Sequence, residues 1–198
     1  MKKLSVLFLS LMAVMFSSCS VIVGLDDLDE LVYAFAHSER YAYGDCSCVN
    51  YDAETLNIDW YYGSVIVERT SKNCVAVYER SESSISNECR LRHYYSGSNR
   101  CFFVKYCSPT SKKKNLQNRK TLIVQIPYSS NVTTINVHNK NGDITINMAD
   151  ESGYQVNTNG CNCCCHASCV SGSGSSYECG NRDVQINAEC DNGNVCLK

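Results

Sequence analysis

One short pattern occurs three times along this chain: an apolar pair, a glycine-centred turn and a second apolar pair. Leu56-x-Ile58 leads to Gly63 and Val65-x-Val67. Ile135-x-Val137 leads to Gly142 and Ile144-x-Ile146, and Ile186-x-Ala188 leads to Gly193 and Val195-x-Leu197. A spacing of two puts both members of a pair on one face of an extended strand. The glycine lets the chain turn through a positive φ, and Asn141-Gly142 and Asn192-Gly193 carry the fuller form of that signal. Gly63 follows Tyr62 and lacks it. A unit of this size cannot bury its own apolar face, so copies must lie against one another. The expected fold is all-β, with repetitive stacked strands in a β-solenoid-like body; a β-sandwich of two facing hairpin sheets is the alternative.

Further alternating runs fit the same class. They include Val75-x-Val77, Leu122-x-Val124-x-Ile126 and Val184-x-Ile186. Pro127 has no amide hydrogen and ends its strand. Tyr61, Tyr62, Tyr94 and Tyr95 read as cross-strand packing, with stacking on a glycan as the functional alternative. Ser81–Asn87 and Pro109–Lys120 read as solvated loops, the second carrying Lys112, Lys113, Lys114, Arg119 and Lys120. Ser171–Ser176 reads as a flexible turn.

The N-terminus reads as an export signal. Lys2 and Lys3 precede an apolar run of thirteen residues, Leu4 to Phe16. As a helix that run would reach about 20 Å, short of the roughly 30 Å hydrocarbon core of a bilayer. Phe16-Ser17-Ser18-Cys19 is similar to a bacterial lipobox with Phe in place of the usual Leu. Residues 1–19 are therefore expected to be a signal peptide with a degenerate lipobox, and Cys19 the lipidation site. Residues 20–50 would be a tether, and 51–198 a single β-repeat domain, cysteine-rich from residue 161. Leu25, Leu28, Leu31, Val32 and Phe35 recur at helical spacing, so the tether can form a short capping helix. The expected location is the bacterial cell envelope, lipid-anchored at the outer membrane or cell surface, or secreted if Cys19 carries no lipid.

Fifteen cysteines in an exported chain point to disulfides. Lipid on Cys19 leaves fourteen: Cys46, Cys48, Cys74, Cys89, Cys101, Cys107, Cys161, Cys163, Cys164, Cys165, Cys169, Cys179, Cys190 and Cys196. If 161–165 is a strand, Cys161, Cys163 and Cys165 share one face and bridge to adjacent strands rather than to one another, with Cys179, Cys190 and Cys196 nearest in sequence. The alternative is a zinc or copper thiolate site drawn from Cys161, Cys163, Cys165, His166 and Cys169. The spacing lacks paired Cys-x₂-Cys knuckles. His37, His93 and His138 stand isolated and read as surface or strand residues.

The segments Leu56–Val67, Leu122–Pro127 and Ile135–Ile146, in that order and spacing, resemble the bacterial putative-adhesin domain family of unknown function. The resemblance implies a β-solenoid-like fold on an envelope protein, with no catalytic residues. The cysteines after Gly160 depart from it. The chain also carries no phosphate loop, nucleophile elbow or paired-carboxylate motif. Its net charge of −2 gives no reason to expect nucleic acid. The expected protein is a non-enzymatic envelope lipoprotein, structural or adhesive, with no cofactor and a membrane partner through its lipid. A protein or glycan ligand is open, and a metal-binding envelope protein is the alternative.

Overall fold

The computed structural model describes residues 42–49, 52–107, 118–148, 153–159, 162–165, 171–173, 175–180 and 183–198. The export signal, Cys19, the capping-helix segment, Lys112–Lys114, Cys161, His166 and Cys169 lie outside the described residues. The strands are β1 (Ala42–Tyr43), β2 (Cys46–Val49), β3 (Thr55–Tyr62), β4 (Val65–Thr70), β5 (Val75–Arg80), β6 (Arg92–Ser96), β7 (Cys101–Lys105) and β8 (Thr121–Pro127). They continue as β9 (Thr134–Asn141), β10 (Ile144–Asn147), β11 (Tyr154–Asn159), β12 (Asn162–Cys165), β13 (Ser171–Ser173), β14 (Ser176–Cys179), β15 (Val184–Asn192) and β16 (Asn194–Leu197). One 3₁₀ turn spans Asn87–Cys89.

The strands form two open mixed sheets around one core, a β-sandwich-like arrangement. The larger sheet has nine strands in the order β1-β6-β7-β3-β9-β15-β11-β14-β13. The smaller has seven, in the order β12-β16-β10-β4-β8-β5-β2. The three glycine-centred units are laid on one another in parallel and in register. Leu56, Ile135 and Ile186 align across β3, β9 and β15. Val65, Ile144 and Val195 align across β4, β10 and β16. All six side chains are fully buried and belong to the one core cluster. Antiparallel pairs flank the stack: β6 on β7, β2 on β5 and β11 on β14.

Two stretches differ from their sequence reading. β1 and β2 pair with β6 and β5, so the β-body already includes 42–49, inside the stretch read as tether. The 171–176 run is not a bare turn: β13 pairs with β14 in an antiparallel hairpin. Backbone pairing across the hairpin overrides the weak strand preference of Ser and Gly.

At the corner where β3, β9 and β15 hand over to β4, β10 and β16, the three glycines form a column. A Cβ on Gly63 would lie 2.0 Å from Lys120 O. On Gly142 it would lie 2.2 Å from Gly63 O, and on Gly193 it would lie 2.2 Å from Gly142 O. Each turn is therefore seated on the carbonyl of the turn below. Gly63 N donates to Asn141 O and Gly142 N to Asn192 O, both at 2.8 Å. The torsions correct the expectation: Gly63 and Gly142 have φ of 104° and 139°, whereas Gly193, despite its Asn-Gly signal, is not a positive-φ residue. Close backbone approach, common to all three, is what demands glycine at Gly193.

Inside the corner, the residue three places before each glycine lines up across the strands: Trp60, Asn139 and Cys190. Trp60 Nε1 donates to Lys120 O at 3.3 Å. Asn139 Nδ2 donates to both Gly63 O and Gly142 O at 2.9 Å, so this fully buried amide serves two adjacent turns.

Lys120 also departs from its reading as part of a solvated loop: its side chain is fully buried. Nζ donates to Glu79 Oε2 at 2.8 Å and to Cys89 O and Tyr106 O at 2.6 Å, and lies 4.0 Å from the Tyr106 ring centroid. Three donors met by three acceptors, one of them charged, let an ammonium leave water. Burial pushes its pKa down and Glu79 opposes the shift.

Candidate functional site

In register, the outward-facing residues of β3, β9 and β15 form rows across the large sheet. Alternation points residues 56, 58 and 60 inward and so turns Asn57, Asp59 and Tyr61 outward. The first row runs Phe103, Asn57, Asn136, Asn187, Asn157. Its amides are chained. Asn157 Nδ2 donates to Asn187 Oδ1 at 3.1 Å, Asn187 Nδ2 to Asn136 Oδ1 at 2.8 Å, and Asn136 Nδ2 to Asn57 Oδ1 at 2.9 Å. Each Asn in the middle of the chain spends one donor and one acceptor on its neighbours. The second N–H of each remains for a ligand, as does the second lone pair of Asn136 Oδ1, whereas Asn187 Oδ1 also accepts from Gln185 Nε2 at 3.3 Å.

The next row runs Lys105, Asp59, His138, Glu189, Asn159. Lys105 Nζ lies 2.6 Å from Asp59 Oδ2, and His138 Nδ1 lies 3.2 Å from Asp59 Oδ1. His138 Nε2 is 3.5 Å from Asp191 Oδ1. The hydrogen bond to Asp59 holds the His138 pKa above its ordinary value against the opposing effect of burial, with Asp191 adding to the rise. Burial works to raise Asp59, but His138 and Lys105 outweigh it and hold the carboxyl below its usual value. Between these rows lies a trough of about 550 Å³ lined by Phe103, Lys105, the four Asn side chains, Asp59, His138 and Glu189. Tyr94 stacks on Phe103 at one end, with ring centroids 6.2 Å apart.

His138, isolated in sequence, is thus the centre of a charged row. The sequence signal that could have found it is the second place of each repeat's first strand, where Asn57, Asn136 and Asn187 recur, followed two residues on by Asp59, His138 and Glu189.

The structure disperses most of the cysteines. Cys89, Cys107, Cys179 and Cys190 are buried, whereas Cys46, Cys74, Cys101, Cys163, Cys164 and Cys196 are partly exposed. Asn162–Cys165 forms strand β12, the condition on which the face assignment rested, with Cys163 packed against the core. Among the described residues one cross-strand pair is brought together: Cys164 aligns with Cys196 across parallel β12 and β16. Burial first, then the neighbouring Cys164, pushes the Cys196 thiol up to about 11. Cys179 and Cys190 lie in the other sheet, on β14 and β15. Among the described residues no group of three or more His, Cys, Asp or Glu side chains converges as a metal site. Of the five residues proposed as ligands, only Cys163 and Cys165 are described.

Fold and face together define the class: an all-β, two-sheet repeat protein that turns a ruled row of amides and charges to solvent. No family model matches the chain, and no curated protein matches it. Among solved structures it is similar to a putative cell adhesion protein from Clostridium sporogenes, at 11% identity and a TM-score of 0.41, over 80% of this chain and 99% of that one.

Proposed function

We propose that this chain is a non-enzymatic bacterial cell-envelope lipoprotein, anchored through Cys19, whose stacked, solenoid-like core carries an adhesive face. The observation that supports it best is the trough. Four chained amides set one strand spacing apart, roughly 4.8 Å, offer repeated N–H and C=O groups to an extended, hydroxyl-rich ligand such as a glycan. A phenylalanine at the end of the row adds an apolar surface. Asp59 is engaged by both Lys105 and His138, which suits a fixed electrostatic frame rather than a free general base.

Two experiments test the two halves of the reading. Full-length protein is incubated with insoluble polysaccharides and mucin, beside a variant carrying Asn136→Leu and Asn187→Leu. Retention by at least one polymer that falls several-fold in the variant supports the adhesive face; equal retention removes the trough from it. Cys19→Ala should move the protein from the membrane fraction to the soluble one, and unchanged membrane retention would remove the lipid anchor.

A further inference from the structure

A second cavity, of about 660 Å³, opens at the other end of the strands, away from the glycine corner. It lies where the loop 128–133 leaves β8 and enters β9. Its floor is fixed by backbone bonds: Thr133 N and Thr134 N donate to Glu54 O at 2.9 and 3.1 Å, and Gln185 N donates to Thr133 O at 2.8 Å.

Arg69 reaches into this mouth. It follows Val65 and Val67 on the inward side of β4, so its side chain enters between the sheets. Nη1 donates to Pro127 O at 3.0 Å, and the same carbonyl accepts Ser130 N at 3.2 Å, which brings Arg69 and Ser130 together. Arg69 Nε and Ser130 Oγ are both buried without a hydrogen-bond partner. Among the described residues no carboxylate lies within 4.0 Å of the Arg69 guanidinium. Burial pushes its pKa down, and Tyr128 opposes the shift without cancelling it. The neighbouring Glu54, which could have served, is paired with Arg100.

Tyr128 stands on the rim of the same mouth. It is 51% exposed and is the exposed large hydrophobic residue of the described chain. Asn131 and Thr133 add polar groups beside it. An unpaired cation half-way into the protein calls for an anion, and the planar guanidinium fork suits a carboxylate. An exposed ring calls for an apolar face, as a pyranose presents through its C–H groups. Asp183 on the rim disfavours a polyanion. We infer that this mouth binds a carboxylate-bearing sugar unit, with Arg69 taking the carboxylate and Tyr128 the face of the ring.

The test uses purified full-length protein and sodium galacturonate, with galactose and sodium acetate as halves of the ligand, all at constant ionic strength. Binding is read by calorimetry and by the rise in Tm that a native-state ligand produces. Galacturonate should bind at least about tenfold more tightly than either half, since a charge-assisted pair contributes about 1.5–3 kcal/mol. Arg69→Met should weaken galacturonate binding by about tenfold or more. Tyr128→Ala should weaken it by about threefold or more and leave the ligand-free Tm unchanged. If Arg69→Met does not fold, Tyr128→Ala and the three-ligand comparison still decide the matter. Acetate binding as well as galacturonate, no galacturonate binding at all, or full affinity in Tyr128→Ala would each overturn the inference. None of these outcomes bears on the trough, whose residues are separate.

Discussion

Replacing Gly142 with alanine tests the stacking of turns directly. The added Cβ would lie 2.2 Å from Gly63 O and 2.6 Å from Gly63 C, both backbone atoms of the turn below. A relaxed carbon–oxygen contact is roughly 3.3 Å, so the two turns must part by about 1 Å. The Gly63 N to Asn141 O bond and the bond from Asn139 Nδ2 to Gly63 O join these two turns and would stretch with their parting. Loss of buried polar pairing costs about 1–3 kcal/mol, and holding alanine at the native φ of 139° adds about 1–3 kcal/mol. The expected loss is about 3–5 kcal/mol, or roughly 6–20 °C in Tm for a chain of this size. Trp60, the single tryptophan, is fully buried beside the corner and reports urea unfolding by its fluorescence. Gly97→Ala is the control: its Cβ would meet only a Tyr95 ring carbon at 3.8 Å, and stability should hold within about 0.5 kcal/mol. Gly193→Ala separates the two causes, because there the 2.2 Å contact exists without the positive φ. If Gly193→Ala is as stable as the parent while Gly142→Ala is not, torsion and not stacking governs the corner. If Gly142→Ala itself unfolds within about 1 kcal/mol of the parent, the argument fails.

Three further outcomes are expected. Lys120→Met should destabilise by about 3 kcal/mol by removing the nearer cation of buried Glu79, which keeps only Arg90 Nε at 3.7 Å, and adding Glu79→Leu should recover part of the loss; a double-mutant cycle with no coupling would contradict the pairing. His138 has a folded pKa above its unfolded value, so its contribution is complete below about pH 6.5 and is lost as pH rises through the folded value. Asp59 is shifted down, so its contribution holds above about pH 4 and is lost as pH falls through the folded value. His138→Gln should therefore remove part of the stability difference between pH 6 and 8, under about 1 kcal/mol because the ring is part-exposed; an unchanged pH profile would contradict it. Finally, Cys164 and Cys196 are cross-strand partners at a spacing of roughly 4.8 Å, inside the disulfide range. Mild oxidation should protect one pair of thiols from alkylation in the parent and not in Cys164→Ser, as read by mass shift.

Much of the fold was legible because it is local. Alternation by two names the buried face of each strand without any partner, and the three glycine-centred units mark their own turns. What local reading missed at the corner was the reason for glycine. Gly193 looked like a torsional turn and is a point of contact, visible only when the neighbouring turn is in place. Lys120 misled for the same reason. Beside Arg119 it reads as solvated, yet the acceptors that bury it, Glu79, Cys89 O and Tyr106 O, come from other parts of the chain.

The candidate site was barely legible. Asn136 lies 79 residues after Asn57 and Asn187 a further 51 on, and alone each is an ordinary outward-facing strand residue. The sequence by itself determined the strand class, the alternation and the recurrence of the unit, because these depend on side-chain direction along a single extended chain. Only the tertiary structure decided the parallel register that turns scattered asparagines into a chained row, places His138 between two aspartates and, among the described residues, leaves Arg69 without a carboxylate. Register is a choice among long-range pairings, and it is settled by burying six aligned apolar side chains at once.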